Sequence, residues 1–127
     1  MRVYLNRWFA KFARKEGIDD QALREAVGRA EQGLVDADLG GGLLKQRVAR
    51  EGGGKSGGYR TLIFFRAGQR AVFAFGFAKS GKANLTAEEL AVFKKAARIV
   101  LALSDEQMDA EVGAGRLLEV SYGDEDI

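Results

Sequence analysis

Residues 59–66 (YRTLIFFR) and 70–79 (RAVFAFGFAK) flank the three residues Ala67-Gly68-Gln69. Both runs are rich in the aromatic and aliphatic side chains that strands favour. The short gap with a central glycine is a tight-turn signal, so the pair predicts an antiparallel hairpin. A hairpin of this apolar content cannot stand alone in water and must be covered. In the second run Phe73, Phe75 and Phe77 alternate with smaller residues, which predicts one aromatic face. Gly76 and the alanines flatten the other face, where a helix can pack closely. Residues 43–50 (LLKQRVAR) mix Leu and Val with cations and predict a third strand before the hairpin.

Helices are predicted on either side of these strands. Asn6 can cap a helix running to about Lys15, with Trp8, Phe9 and Phe12 at helical spacing and Gly17 as its stop. These three aromatics read as core packing. Asp19 or Asp20 opens a second helix, in which Leu23, Ala26, Val27 and Ala30 recur on one face up to Gly33. Thr86 and Glu89 make a capping box for a third, with Leu90, Phe93, Ala97, Val100 and Leu101 as its stripe. Ser104 and Gln107 repeat the pattern for a short fourth, with Met108 and Val112. Residues 117–120 offer a last strand. The expected order is helix, helix, three strands, helix, helix, strand. Helices before and after a mostly antiparallel sheet define an α+β domain.

The length of 127 residues suits one domain over residues 1–127, with 121–127 as a mobile acidic tail. No apolar run approaches the length that crosses a bilayer, and MRVYLNRWFAKFARKEG lacks a signal-peptide core. A cytoplasmic protein with no membrane partner is expected. The chain has no His and no Cys. That excludes an imidazole base, a thiolate nucleophile and His- or Cys-ligated metal sites, and leaves acid/base work to Lys, Arg, Tyr, Asp or Glu.

The net charge of +2 conceals a segregation. Residues 43–82 hold nine Lys/Arg and a single acid, Glu51, whereas residues 104–127 hold eight acids and one Arg. A basic middle of this kind suits a polyanion. Lys45 and Arg47 alternate and so share a strand face, with Arg50 close by. Arg60 at the start of the next strand, and Lys79 and Lys82 past the third, converge on the same end of the sheet. Such a patch would grip phosphates, and Tyr59 could stack on a base.

The stretch Gly52-Gly53-Gly54-Lys55-Ser56-Gly57-Gly58 is similar to a phosphate-binding loop but departs from it. The first glycine of that motif would fall at position 49, which is Ala49, and a strand rather than a helix follows. An inter-strand loop carrying one cation, Lys55, is the better reading.

LGGGLLKQRVAREGGGKSGGYRTLIFF (39–65) followed by AFGFAKSGKANLTAEEL (74–90) resembles RelE/HigB-type toxins of type II toxin–antitoxin systems. The similarity is strongest to the branch with the Lys-Ser-Gly-Gly-Tyr-Arg signature. The resemblance implies a RelE-like fold and inhibition of translation by metal-independent cleavage of messenger RNA at the ribosome, with no cofactor. In such cleavage the substrate's own 2′-OH attacks the neighbouring phosphate. The reaction needs a base, cations on the phosphate and an acid for the leaving oxygen.

The resemblance implies that Arg60 acts at the scissile phosphate and that Lys79 and Lys82 complete the catalytic set. It assigns RNA binding to Lys45 and Arg47, and the basic residues Arg50 and Lys55 and the ring of Tyr59 are expected to join them. Where some members carry an arginine directly after the lysine, this chain carries Ser80. Where some carry a tyrosine before the last helices, it offers Asn84 to Thr86. The resemblance also implies a helix-turn-helix antitoxin through which the pair would bind operator DNA indirectly. Two alternatives stay open: an RNA- or ribosome-binding inhibitor that does not cut, and a protein-interaction module that docks an acidic partner.

Overall fold

The computed structural model describes residues 1–49, 58–78 and 85–120. Along the chain run β1 (Arg2–Asn6), α1 (Arg7–Glu16), α2 (Asp20–Glu31), β2 (Ala37–Gly40), β3 (Leu43–Val48), β4 (Tyr59–Arg66), β5 (Arg70–Ala78), α3 (Ala87–Leu101), α4 (Asp105–Gly113) and β6 (Leu117–Glu119). The strands form one open sheet in the order β2-β3-β4-β5-β1-β6. Its pairs are antiparallel except β1 with β5, which is parallel. The α+β class expected from the sequence is the one that forms.

The element order needs two corrections. The chain opens on a strand rather than a helix, and β2 precedes the first of the three expected strands. In β1 three successive residues, Val3, Tyr4 and Leu5, are all buried. A strand covered on both faces loses the alternation by which strands are read. The sequence of β2 (ADLG) carries little apolar signal, and it is held by its pairing with β3.

The hairpin forms as read. Gln69 N–H donates to the Arg66 carbonyl at 3.0 Å, and Gly68 takes a φ of 77°, which only glycine adopts cheaply. The expected single aromatic face does not form. Register steps from Leu62↔Phe75 to Ile63↔Phe73, so Ala74 is an extra residue bulged from β5. One extra residue reverses which face the following side chains point to. Phe73 therefore packs under α1 and α2, while Phe75 packs toward α3.

The sheet carries a core on each face. Phe9, Leu23, Val27, Ile63 and Phe73 close the space beneath α1 and α2. Tyr4, Leu62, Phe64, Leu101 and Met108 close the space beneath α3 and α4. Burying a side chain such as Phe9 or Phe73 contributes about 2 kcal/mol relative to leaving it in water. The bulge gives α1 its close approach. A Cβ on Gly76 would lie 2.9 Å from Phe12 Cε2 and 3.1 Å from Phe9 Cε1, so the flat strand face expected there is occupied by this helix.

Capping follows the sequence. Asn6 Oδ1 accepts from Phe9 N–H at 2.8 Å, and its Nδ2 donates to the Ala74 carbonyl at 3.1 Å. One side chain thus starts α1 and terminates the β1–β5 pairing. Thr86 with Glu89 and Ser104 with Gln107 form the two expected capping boxes. Trp8 is a further correction, because it is 45% exposed while Phe9 beside it is fully buried. Adjacent helical residues point about 100° apart, so Trp8 falls at the margin of the apolar stripe that Phe9 centres.

Two arginines lock the far end of the sheet. Arg70 is buried and donates to the carbonyls of Val100 (3.2 Å) and Leu103 (2.7 Å) and to Asp105 (3.0 Å). It satisfies the orphan carbonyls at the end of α3 and ties them to the start of α4. Arg2 reaches Glu119 at 2.8 Å and Asp109 at 2.7 Å, joining β1 to β6 and α4. Among the described residues, no helix is long and apolar enough to cross a membrane.

Candidate nucleic-acid interface

The register of β3 against β4 sets Arg47 directly opposite Arg60, and Lys45 opposite Leu62. Lys45 and Arg47 are two residues apart, so they share the face on which Leu62 packs toward α3. Phe77 lies opposite Arg60 from the other side and belongs to the same face. Lys45, Arg47, Arg60 and Phe77 are partly exposed, in contrast to the closed core further along the strands.

Neighbouring elements hold the pair in place. Gln46, on the reverse face of β3, is buried and donates to the carbonyls of Ala26 (2.9 Å) and Leu34 (3.0 Å). Arg29 donates to the Arg47 carbonyl at 2.6 Å. Helix α2 therefore grips both ends of the peptide that carries Arg47. Gly58 fits closely against it, since a Cβ there would lie 3.0 Å from the Val48 carbonyl oxygen and 3.4 Å from Arg47 Cγ.

Two cations set side by side repel unless an anion stands between them. Asp36 Oδ2 lies 3.2 Å from Arg60 Nη1, but the two are not aligned for a hydrogen bond. Among the described residues, Arg60 Nη1 and Arg47 Nε are buried without a hydrogen-bond partner. Unsatisfied guanidinium donors in a paired cationic site are suited to phosphate oxygens, which accept them in charge-assisted bonds. Asp36 was not legible as part of this site. It is 24 residues from Arg60 in sequence, and its place follows from the Asp36 N–H bond to the Lys45 carbonyl (3.0 Å).

The predicted site residues divide into three groups. Lys45, Arg47 and Arg60 come together on one face. Tyr59 does not join them. It is 2% exposed on the opposite face, its ring meets Phe12 edge-on, and its hydroxyl donates to the Glu16 carboxylate at 3.2 Å. Successive strand residues point to opposite faces, so Tyr59 and Arg60 cannot share one. The base-stacking role expected of Tyr59 is therefore corrected to a structural one. Arg50, Lys55, Lys79 and Lys82 lie outside the described residues, as does the acidic tail 121–127. Among the described residues, no group of three or more acidic side chains converges as a metal-binding set.

The Gly-Tyr-Arg motif thus has a physical reading at each position. Gly58 makes room beside Arg47, Tyr59 anchors the strand to α1, and Arg60 completes the cation pair. The α+β fold thus sets two arginines at one register position on a partly uncovered sheet face. The family model of the RelE toxin of the RelE/RelB toxin–antitoxin system matches residues 1–120. The chain belongs to the RelE toxin family. It is the toxin of a toxin–antitoxin system and has an antitoxin as its partner. No curated protein matches the chain.

Proposed function

We propose that this toxin arrests translation by metal-independent cleavage of messenger RNA at the ribosome, with the Arg47–Arg60 pair holding the scissile phosphate. The observation that carries the reading is that pair, two arginines at one register position with guanidinium donors unsatisfied among the described residues. The substrate 2′-OH attacks the adjacent phosphorus, the P–O5′ bond breaks, and a 2′,3′-cyclic phosphate and a 5′-hydroxyl end result. Negative charge grows on the non-bridging oxygens as the 2′-oxygen adds, which is where fixed cations accelerate the step. Lys45 extends the grip along the backbone. Lys79 and Lys82, which follow β5 in sequence, complete the catalytic set, and Arg50 and Lys55 add to RNA binding. A helix-turn-helix antitoxin would carry the pair to operator DNA.

The test is end-mapping of transcripts after induction. Wild type should create new 5′-hydroxyl ends, and Arg60→Ala should lower their yield about 100-fold. Growth arrest without new ends would exclude cleavage and leave the second reading, a translation block without cutting. The position of Tyr59 favours that second reading, because its phenol is turned away from the cation pair and supplies no acid or base there.

A further inference from the structure

We propose that the Asp36 carboxylate is the general base of this site, taking the proton from the 2′-OH that attacks the scissile phosphate. The inference rests on the cleavage reading above and supplies the proton acceptor that the reaction needs.

Attack by a 2′-oxygen requires a group with an open lone pair beside the phosphate. The chain has no His. Guanidinium and ammonium groups are donors without an acceptor, which leaves the cations of the site to the phosphate. Tyr59 is turned to the other face, where its hydroxyl meets the Glu16 carboxylate. Asp38 is occupied, because its Oδ1 accepts from Gly40 N–H at 2.9 Å.

Asp36 differs from these in where it stands and in what it has to offer. It immediately precedes β2, and its N–H bond to the Lys45 carbonyl (3.0 Å) fixes its backbone against β3. From β4 the Arg60 guanidinium reaches across β3 and brings Nη1 to 3.2 Å from Asp36 Oδ2. The two groups attract at that distance, but their misalignment means that the oxygen is not spent on the guanidinium. Among the described residues, no donor is hydrogen-bonded to the Asp36 carboxylate. Its side chain is 32% exposed, so a lone pair is open to substrate.

The placement suits the reaction. A phosphate on Arg60 shares its guanidinium with Asp36, and a 2′-oxygen poised for attack lies about 3 Å from phosphorus. A carboxylate alone would repel the phosphate. Here Lys45, Arg47 and Arg60 set three positive charges against its one. The cations hold the phosphate while the acid takes the proton beside it. In the step, the 2′-OH proton passes to the carboxylate as the 2′-O–P bond forms and the P–O5′ bond breaks. The leaving 5′-oxygen takes a proton from water, and the Asp36 carboxylic acid returns its own to solvent. No water is consumed overall, and the two products together hold the atoms of the substrate.

The experiment measures RNA affinity and single-turnover cleavage by the intact toxin on ribosomes programmed with a short messenger RNA. Two substrates are compared, the natural one and one with sulfur in place of the 5′-oxygen at the mapped cut site. Sulfur leaves without help from an acid, so it masks the loss of an acid but not of a base. Asp36→Asn keeps the size of the side chain and should leave affinity at or slightly above that of wild type. Its cleavage of both substrates should fall about 1,000-fold. Asp36→Glu, which keeps a carboxylate on a longer stem, should recover part of the rate.

If Asp36→Asn cuts the natural substrate as fast as wild type, Asp36 is not the base, and cleavage through another acceptor still stands. If the sulfur substrate restores the variant, Asp36 serves the leaving group and the assignment is overturned. A fall in cleavage matched by an equal fall in affinity would make Asp36 a structural residue and overturn it too. If wild type cuts neither substrate, the cleavage reading itself fails and the inference falls with it.

Discussion

Arg70 and Arg60 sit on adjacent strands, and each pairs with one aspartate, yet their environments are opposite. Arg70 is enclosed by the corner between α3 and α4, where two carbonyls and Asp105 take its donors. Arg60 lies near the other end of the strands, beside Arg47, and among the described residues only a misaligned Asp36 stands at ion-pair distance. The first arginine is consumed by the fold. The second is held in place by the fold with binding capacity to spare. The basic run of residues 43–82 therefore mixes two kinds of cation, and its charge overstates the surface available to a polyanion.

That contrast can be broken first by stability. Arg70→Met should cost about 3 kcal/mol in denaturant unfolding, because two carbonyls and a carboxylate lose their donor. Arg60→Met should shift unfolding by less than about 1 kcal/mol, since its Asp36 pair is partly exposed. Equal losses in the two variants would abolish the distinction. Gly76→Ala comes next, at about 2 kcal/mol. Its Cβ would press on Phe12 and Phe9 beneath α1, and the same measurement checks it.

Tyr4 refines the picture of the closed end. Its hydroxyl is buried without a partner among the described residues, and burial pushes the phenol above its ordinary value of 10.0. The folded state then keeps its proton where the unfolded chain has lost it. Stability from this group is complete below the unfolded value and is lost as pH rises from there toward the folded value. Tyr4→Phe should leave stability at pH 7 within about 1 kcal/mol of wild type and lessen the alkaline decline. An unchanged alkaline limb in a pH series of melts would contradict this. The smallest effect belongs to the open end. Asp36→Asn should strengthen RNA affinity about twofold by releasing Arg60, a gain measurable by titration at low salt.

Much of the architecture was legible locally. The hairpin was readable because its apolar runs and glycine turn are contiguous, and the capping boxes because Thr86 with Glu89 and Ser104 with Gln107 are three residues apart. Strand β1 was not, because a strand buried on both faces has no polar alternation to betray it. The bulge at Ala74 was hidden for a related reason. The sequence around it alternates without interruption, and only pairing with β4 reveals the extra residue.

For the candidate site, the sequence by itself determined which cations could share a face. Lys45 and Arg47 are two residues apart, and a strand repeats every two residues. The tertiary structure alone decided that Arg47 stands opposite Arg60, that Arg70 is spent on α3 and α4, and that Tyr59 turns away toward α1. It also decided that Trp8, read as core, reaches water. Side-chain periodicity is a local property of the backbone, fixed within a few residues. Which face is covered, and by what, depends on partners far along the chain.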